Sequence, residues 1–71
     1  MKQAVLVAFG RRLRELRVKR GLSQEQLAFA ADLDRSYVGG VERGERNVSL
    51  QNIKKLARAL GASVSELTRG L

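Results

Sequence analysis

A chain of 71 residues with a net charge of +7 and no cysteine, histidine or proline is one small domain in a strongly positive field. It therefore lacks a disulfide framework, thiolate or imidazole ligands for a transition metal, and the commonest general base. The charge favours a polyanion, nucleic acid first and an anionic membrane surface second, and no apolar run nears the roughly 18 residues of a membrane span.

Apolar residues recur at helical spacing, punctuated by Gly, Asp and Ser, with no alternating strand pattern. The expected class is all-α with five helices. The first spans about 3–20, where Leu6, Phe9, Leu13 and Leu16 share one face. Gly21 supplies the left-handed residue past its end. Residues 2–20 carry seven basic side chains and one acid, Glu15, a pattern that amphipathic targeting peptides also show. Removing that stretch would strip the domain of its first helix, so a structural helix is the better reading.

The second helix starts at Ser23, whose spacing from Gln26 is that of a capping box. It turns Leu27 and Ala28 inward and ends near Ala31, with Asp32 in the turn. Asp34 is placed as N-cap of the third helix. There Val38, Val41 and Glu42 share the core face. Ser36, Gly39, Gly40 and Arg43 share the opposite one, flanked by Arg35 and Tyr37, and Gly44 ends the helix. The fourth helix follows Ser49 and runs to Leu60, with Leu50, Ile53, Leu56, Ala57 and Leu60 inward and Gly61 as its stop. The fifth is short: Ser63 and Glu66 form a second capping box, and Val64 and Leu67 are its apolar contacts.

Two short helices joined by three or four residues are the layout of a helix-turn-helix, whose second helix enters the major groove. Spacing alone also fits an ordinary helical bundle. The residues say more. The runs L-S-Q-E-Q-L-A from Leu22, L-D-R-S-Y-V-G-G-V-E-R-G-E-R-N-V-S-L from Leu33 and L-A-R-A-L-G-A-S-V-S-E-L from Leu56 resemble the Cro/C1-type (Xre-like) helix-turn-helix family. The likeness covers about 9–68. D-R-S-Y and the extended first helix look most like the controller proteins of bacterial restriction–modification systems. The resemblance implies a single five-helix, lambda-repressor-like DNA-binding domain over 1–71. Its helix-turn-helix falls at about 23–43 and its dimerisation region at about 61–71.

The resemblance also implies roles. Gln24 opens the second helix where a side chain reaches phosphate, assisted by Ser23 and by the helix amides. Arg35, Ser36 and Tyr37 match the base-reading positions. The planar fork of Arg35 suits guanine O6 and N7, or else grips phosphate. Ser36 specifies weakly. Tyr37 either meets the DNA or lies along the protein surface. Gly39 and Gly40 have no side chain to read with, and are expected to let the backbone approach the groove. Glu42 is expected to pair with Arg17, because a buried carboxylate alone is costly. Arg43, Arg46, Asn47 and Asn52 match the loop and helix start that hold the DNA backbone. Asp32 stands where the family has glycine or asparagine, and Val48 where it often has proline.

One recognition helix reads few base pairs, which argues for a homodimer on a near-palindromic operator. A chain this short buries only about 60% of its unfolded surface, so a second copy also supplements its core. Leu50, Val64, Leu67 and Leu71 are the expected interface. The implied function is sequence-specific transcription regulation by occupancy, blocking or recruiting RNA polymerase, in the cytoplasm of a bacterium or phage host. The same fold serves phage-type repressors and antitoxins, but at most three residues follow the fifth helix here for a toxin to bind. No cofactor, metal, membrane or small-molecule ligand is expected. Seven carboxylates without His, Cys or a Gly-rich phosphate loop offer no catalytic set.

Overall fold

How each helix stops decides where the next one goes. In the computed structural model, which describes residues 3–71, the helices are α1 Ala4–Lys19, α2 Gln24–Ala31, α3 Arg35–Glu42, α4 Leu50–Leu60 and α5 Val64–Thr68. Lys2, part of the basic run, lies outside the described residues. After α1, α2, α3 and α4 comes a left-handed residue: Gly21, Asp32, Gly44 and Gly61. At each, two amides fold back on the last turn. After α2 the Leu33 N–H donates to the Ala28 carbonyl at 2.8 Å and the Asp32 N–H to Phe29 at 3.2 Å, the Schellman arrangement. Asp32, at φ 57°, is the non-glycine residue among the four and carries the steric cost of that conformation.

The helix starts differ in quality. Ser23 and Gln26 bond reciprocally, the Gln26 N–H to Ser23 Oγ at 3.0 Å and the Ser23 N–H to Gln26 Oε1 at 2.8 Å. Ser49 and Ser63 cap α4 and α5 through the Asn52 and Glu66 amides. The second expected box is thus half formed, since Ser63 accepts but Glu66 does not reach back. Asp34 has N-cap backbone geometry without a side-chain bond.

The core joins Phe9, Leu13 and Leu16 of α1 to Leu27, Ala28 and Ala31 of α2, Val38 and Val41 of α3, Leu56, Ala57 and Leu60 of α4, and Leu67 of α5. α1 packs on α3 and α5, and α2 packs on α3 and α4. The fit between α1 and α3 is backbone on backbone. A Cβ at Gly10 would lie 2.3 Å from the Val41 carbonyl oxygen and 2.6 Å from that of Glu42. This close approach fixes α3 against the scaffold.

Two α1 arginines and the C-cap Arg20 also bond to neighbouring elements. Arg12 Nε donates to the Glu66 carbonyl at 3.0 Å and Arg20 Nε to that of Leu60 at 2.8 Å, while Arg17 reaches Glu42. Part of the positive charge thus ties helices together and is not spare surface field.

Two expectations are corrected. Leu50 does not face inward: it is 69% exposed, because the first turn of α4 precedes the part that packs on the core. Leu67, expected at an interface, is wholly enclosed. α5 lies against α1 and α4 there and leaves it no surface for a second copy. Leu6 is only half-buried, and Phe29 on the outer side of α2 is 90% exposed.

Candidate nucleic-acid interface

α3 begins at the surface. Arg35 and Ser36 are exposed and make no hydrogen bond or ion pair among the described residues. An arginine held by nothing keeps its five donors for a ligand. One residue on, the situation changes. Of the two readings of Tyr37, the free chain adopts the second: the ring is half-buried against the core. Its hydroxyl accepts from Asn52 Nδ2 at 3.0 Å. The Arg46 guanidinium lies over the ring, 5.3 Å from its centroid, within cation–π range. The hydroxyl proton of Tyr37 stays available to an outside acceptor. Asn52, read from sequence as a phosphate contact, is therefore first a support for Tyr37.

Beneath α3 lies the charged centre of the site. The Glu42 side chain is 2% exposed and that of Arg17 is 11% exposed. The Arg17 fork is bidentate, Nε to Glu42 Oε2 at 2.6 Å and Nη2 to Oε1 at 3.1 Å, while Nη1 donates to the Leu22 carbonyl at 2.8 Å. Gln24 Nε2 adds a third donor to Glu42 at 3.0 Å. A buried carboxylate with its oxygens satisfied is tolerated; one left alone is not. This network pins three things at once: the end of α1, the loop entering α2 and the end of α3. It also fixes the side chain of Gln24, the residue expected on phosphate, and leaves its second N–H unused.

The loop after α3 carries the remaining cations. Arg43 Nε donates to Glu45 Oε1 at 3.0 Å in an exposed pair. Arg46 and Asn47 are exposed. The glycines of α3 do not lie open as expected: Gly39 and Gly40 are buried beneath side chains of this chain. A Cβ at Gly39 would sit 3.2 Å from Arg43 Nη1 and 3.5 Å from Gln24 Oε1; one at Gly40 would sit 2.6 Å from Arg46 Cγ.

The structure thus brings Gln24, Tyr37, Arg43, Arg46 and Asn52 around α3, with Arg35 and Ser36 at its exposed start. Ser23 stands at the start of α2, exposed, its oxygen accepting from the Gln26 amide and its proton spare. Three features escaped sequence reasoning: the Asn52 bond to Tyr37, the Gln24 bond to Glu42 and the close approach at Gly10. The partners are 15, 18 and more than 30 positions apart, and no local pattern pairs them. Among the described residues no group of three His, Cys, Asp or Glu could hold a metal, and no helix is long and apolar enough to cross a membrane.

Known proteins resemble this chain in sequence and fold. Residues 13–67 match the family model described as Helix-turn-helix. The control protein C.BamHI of Bacillus amyloliquefaciens is 46% identical over 68 residues, which cover 94% of this chain and 84% of that one. The crystal structure of the restriction–modification controller protein C.AhdI from Aeromonas hydrophila superposes with a TM-score of 0.90 at 69% identity, over 92% of this chain and 98% of that one. C.Esp1396I bound to a 19 base pair DNA duplex superposes with a TM-score of 0.86 at 28% identity, over 92% and 87%. The match spans the α3 start, its supporting network and the loop behind it, and this chain belongs to the helix-turn-helix family, among the restriction–modification control proteins.

Proposed function

We propose that this chain is a transcription regulator of a restriction–modification system that binds a near-palindromic duplex as a homodimer. The observation that carries the reading is the contrast at the start of α3, where Arg35 and Ser36 are exposed and, among the described residues, unbonded beside an anchored Tyr37. A free arginine fork on a helix held rigid from behind suits bidentate contact with a base edge. Gln24, Ser23, Arg43, Arg46 and Asn47 supply the phosphate contacts that set register. That a relative of the same fold is bound to a 19 base pair DNA duplex supports duplex DNA as the ligand.

Leu50 at 69% exposure and Leu71 at 49%, with half-buried Val64, form the dimer surface in this reading, and Leu67 backs Val64 from the core. Two recognition helices then stand about one DNA turn apart. Regulation works by occupancy, blocking or recruiting RNA polymerase in the cytoplasm, without catalysis.

Selection of duplexes from a random library, followed by fluorescence anisotropy on the enriched sequence, tests this. Specific binding at about 10⁻⁸ M or tighter, against about 10⁻⁴ to 10⁻⁶ M for scrambled duplex, is expected. Sedimentation at micromolar protein should give a dimer. Equal affinity for both duplexes contradicts the regulator reading, and a monomer contradicts the dimer.

A further inference from the structure

Gly40 lies within the last turn of the recognition helix, where glycine still lowers helix stability and so calls for a reason. The space its side chain would fill is taken. Arg46 Cγ lies 2.6 Å from the position of a Cβ there, with Cδ at 3.4 Å and Cβ at 3.8 Å. Real side chains do not pack at the first of these distances, so any residue larger than glycine forces Arg46 off the helix. The crowding at Gly39 is different in kind. Its nearest neighbours are the terminal atoms of Arg43 and Gln24, at 3.2 Å or more, which can swing aside.

The Arg46 stem thus lies on the α3 backbone at Gly40, and its guanidinium ends over Tyr37. Tyr37 is held in turn by Asn52. A long cationic side chain laid along a surface keeps its charged head outward. Stacking on a fixed ring restricts where that head points.

We infer that Gly40 is a positioning residue for Arg46: by lacking a side chain it seats the methylene stem of an arginine of the following loop across the recognition helix, and so aims the cation of residue 46 over Tyr37 toward the duplex. The inference rests on the reading that α3 faces DNA. It replaces close backbone approach as the role of this glycine, because the chain's own arginine already fills the gap. Arg46 then enters the groove as part of α3, aimed by Tyr37, and is not a loose loop cation.

A double-mutant cycle on the enriched duplex tests this, with wild type, Gly40→Ala, Arg46→Ala and the double variant. Gly40→Ala should weaken binding roughly tenfold in the wild-type background and less than about twofold in the Arg46→Ala background. Its melting temperature should stay close to that of wild type, because the helix gain of alanine is offset by displacement of the Arg46 stem and loss of its stacking on Tyr37. Gly40→Ala should also lower the salt dependence of binding as Arg46→Ala does. Equal losses in both backgrounds, or no loss in either, overturn the inference while leaving the DNA-binding reading intact. A wild-type protein that prefers no duplex overturns both. A measurement independent of any variant's folding is the nuclear Overhauser contact between the Arg46 methylenes and the Tyr37 ring in the free wild-type protein. Its presence is expected, and its absence overturns the seat.

Discussion

Glu42 and Arg43 are neighbours in sequence, and each closes an arginine–carboxylate pair. Arg17–Glu42 has side chains 11% and 2% exposed; Arg43–Glu45 has side chains 58% and 45% exposed. The chemistry is the same and the contexts are opposite. The buried pair is bidentate and joined by Gln24 and the Leu22 carbonyl, so its partners cannot be exchanged without stranding a charge. The exposed pair is solvated and worth about 0–1 kcal/mol at most, so a phosphate can take Arg43 from Glu45 at little cost. The comparison separates what holds the reading head from what grips the DNA.

Removing Arg17 puts the largest strain on this contrast. Arg17→Met leaves Glu42 buried with Gln24 alone and should cost about 3–5 kcal/mol. For a domain of this size that is a fall of more than about 12 °C in a circular-dichroism melt. An unchanged melt would break the comparison. Arg17→Met with Glu42→Leu removes both charges and should recover most of that loss. If the double variant is no better than the single one, the stranded charge is not the cause.

Arg43→Ala probes the other side. Stability should stay within about 0.5 kcal/mol of wild type. The slope of log affinity against log salt should flatten by about one unit. A large loss of stability would show that the exposed pair also carries the fold. Glu45→Gln is the smallest change: with its competitor neutralised Arg43 is freed for phosphate, and affinity should rise by about twofold at low salt. Weaker binding would assign Glu45 a supporting role instead.

Much of this contrast was legible in the sequence. Helical spacing, three glycine stops and three serine caps place the helices to within a residue or so, because those signals are local. The resemblance pointed to Arg17 and Glu42, and their core-facing positions gave the physical reason. The misses share one cause: they depend on how elements meet. Leu50 reads as core by spacing, yet the first turn of α4 overhangs the packing. Leu67 and Val64 occupy one short helix, and only its docking on α1 and α4 shows which of them is enclosed. Gly39 and Gly40 read as an open face because no pattern says that Arg43 and Arg46 will fold back over them. Asn52 matched a phosphate position, and its bond to Tyr37 depends on α4 meeting α3.

The central claim is that a rigidly backed α3 reads bases through the free side chain at its start. Random-duplex selection with wild type and Arg35→Ala, alongside their melts, tests it most directly. The account predicts that wild type enriches two half-sites about one turn apart, and that Arg35→Ala loses a preferred base in each half-site at a cost of about 1–3 kcal/mol in affinity, with melting unchanged. If Arg35→Ala enriches the same sequence with the same preference at every position, Arg35 does not read the operator and the account is contradicted.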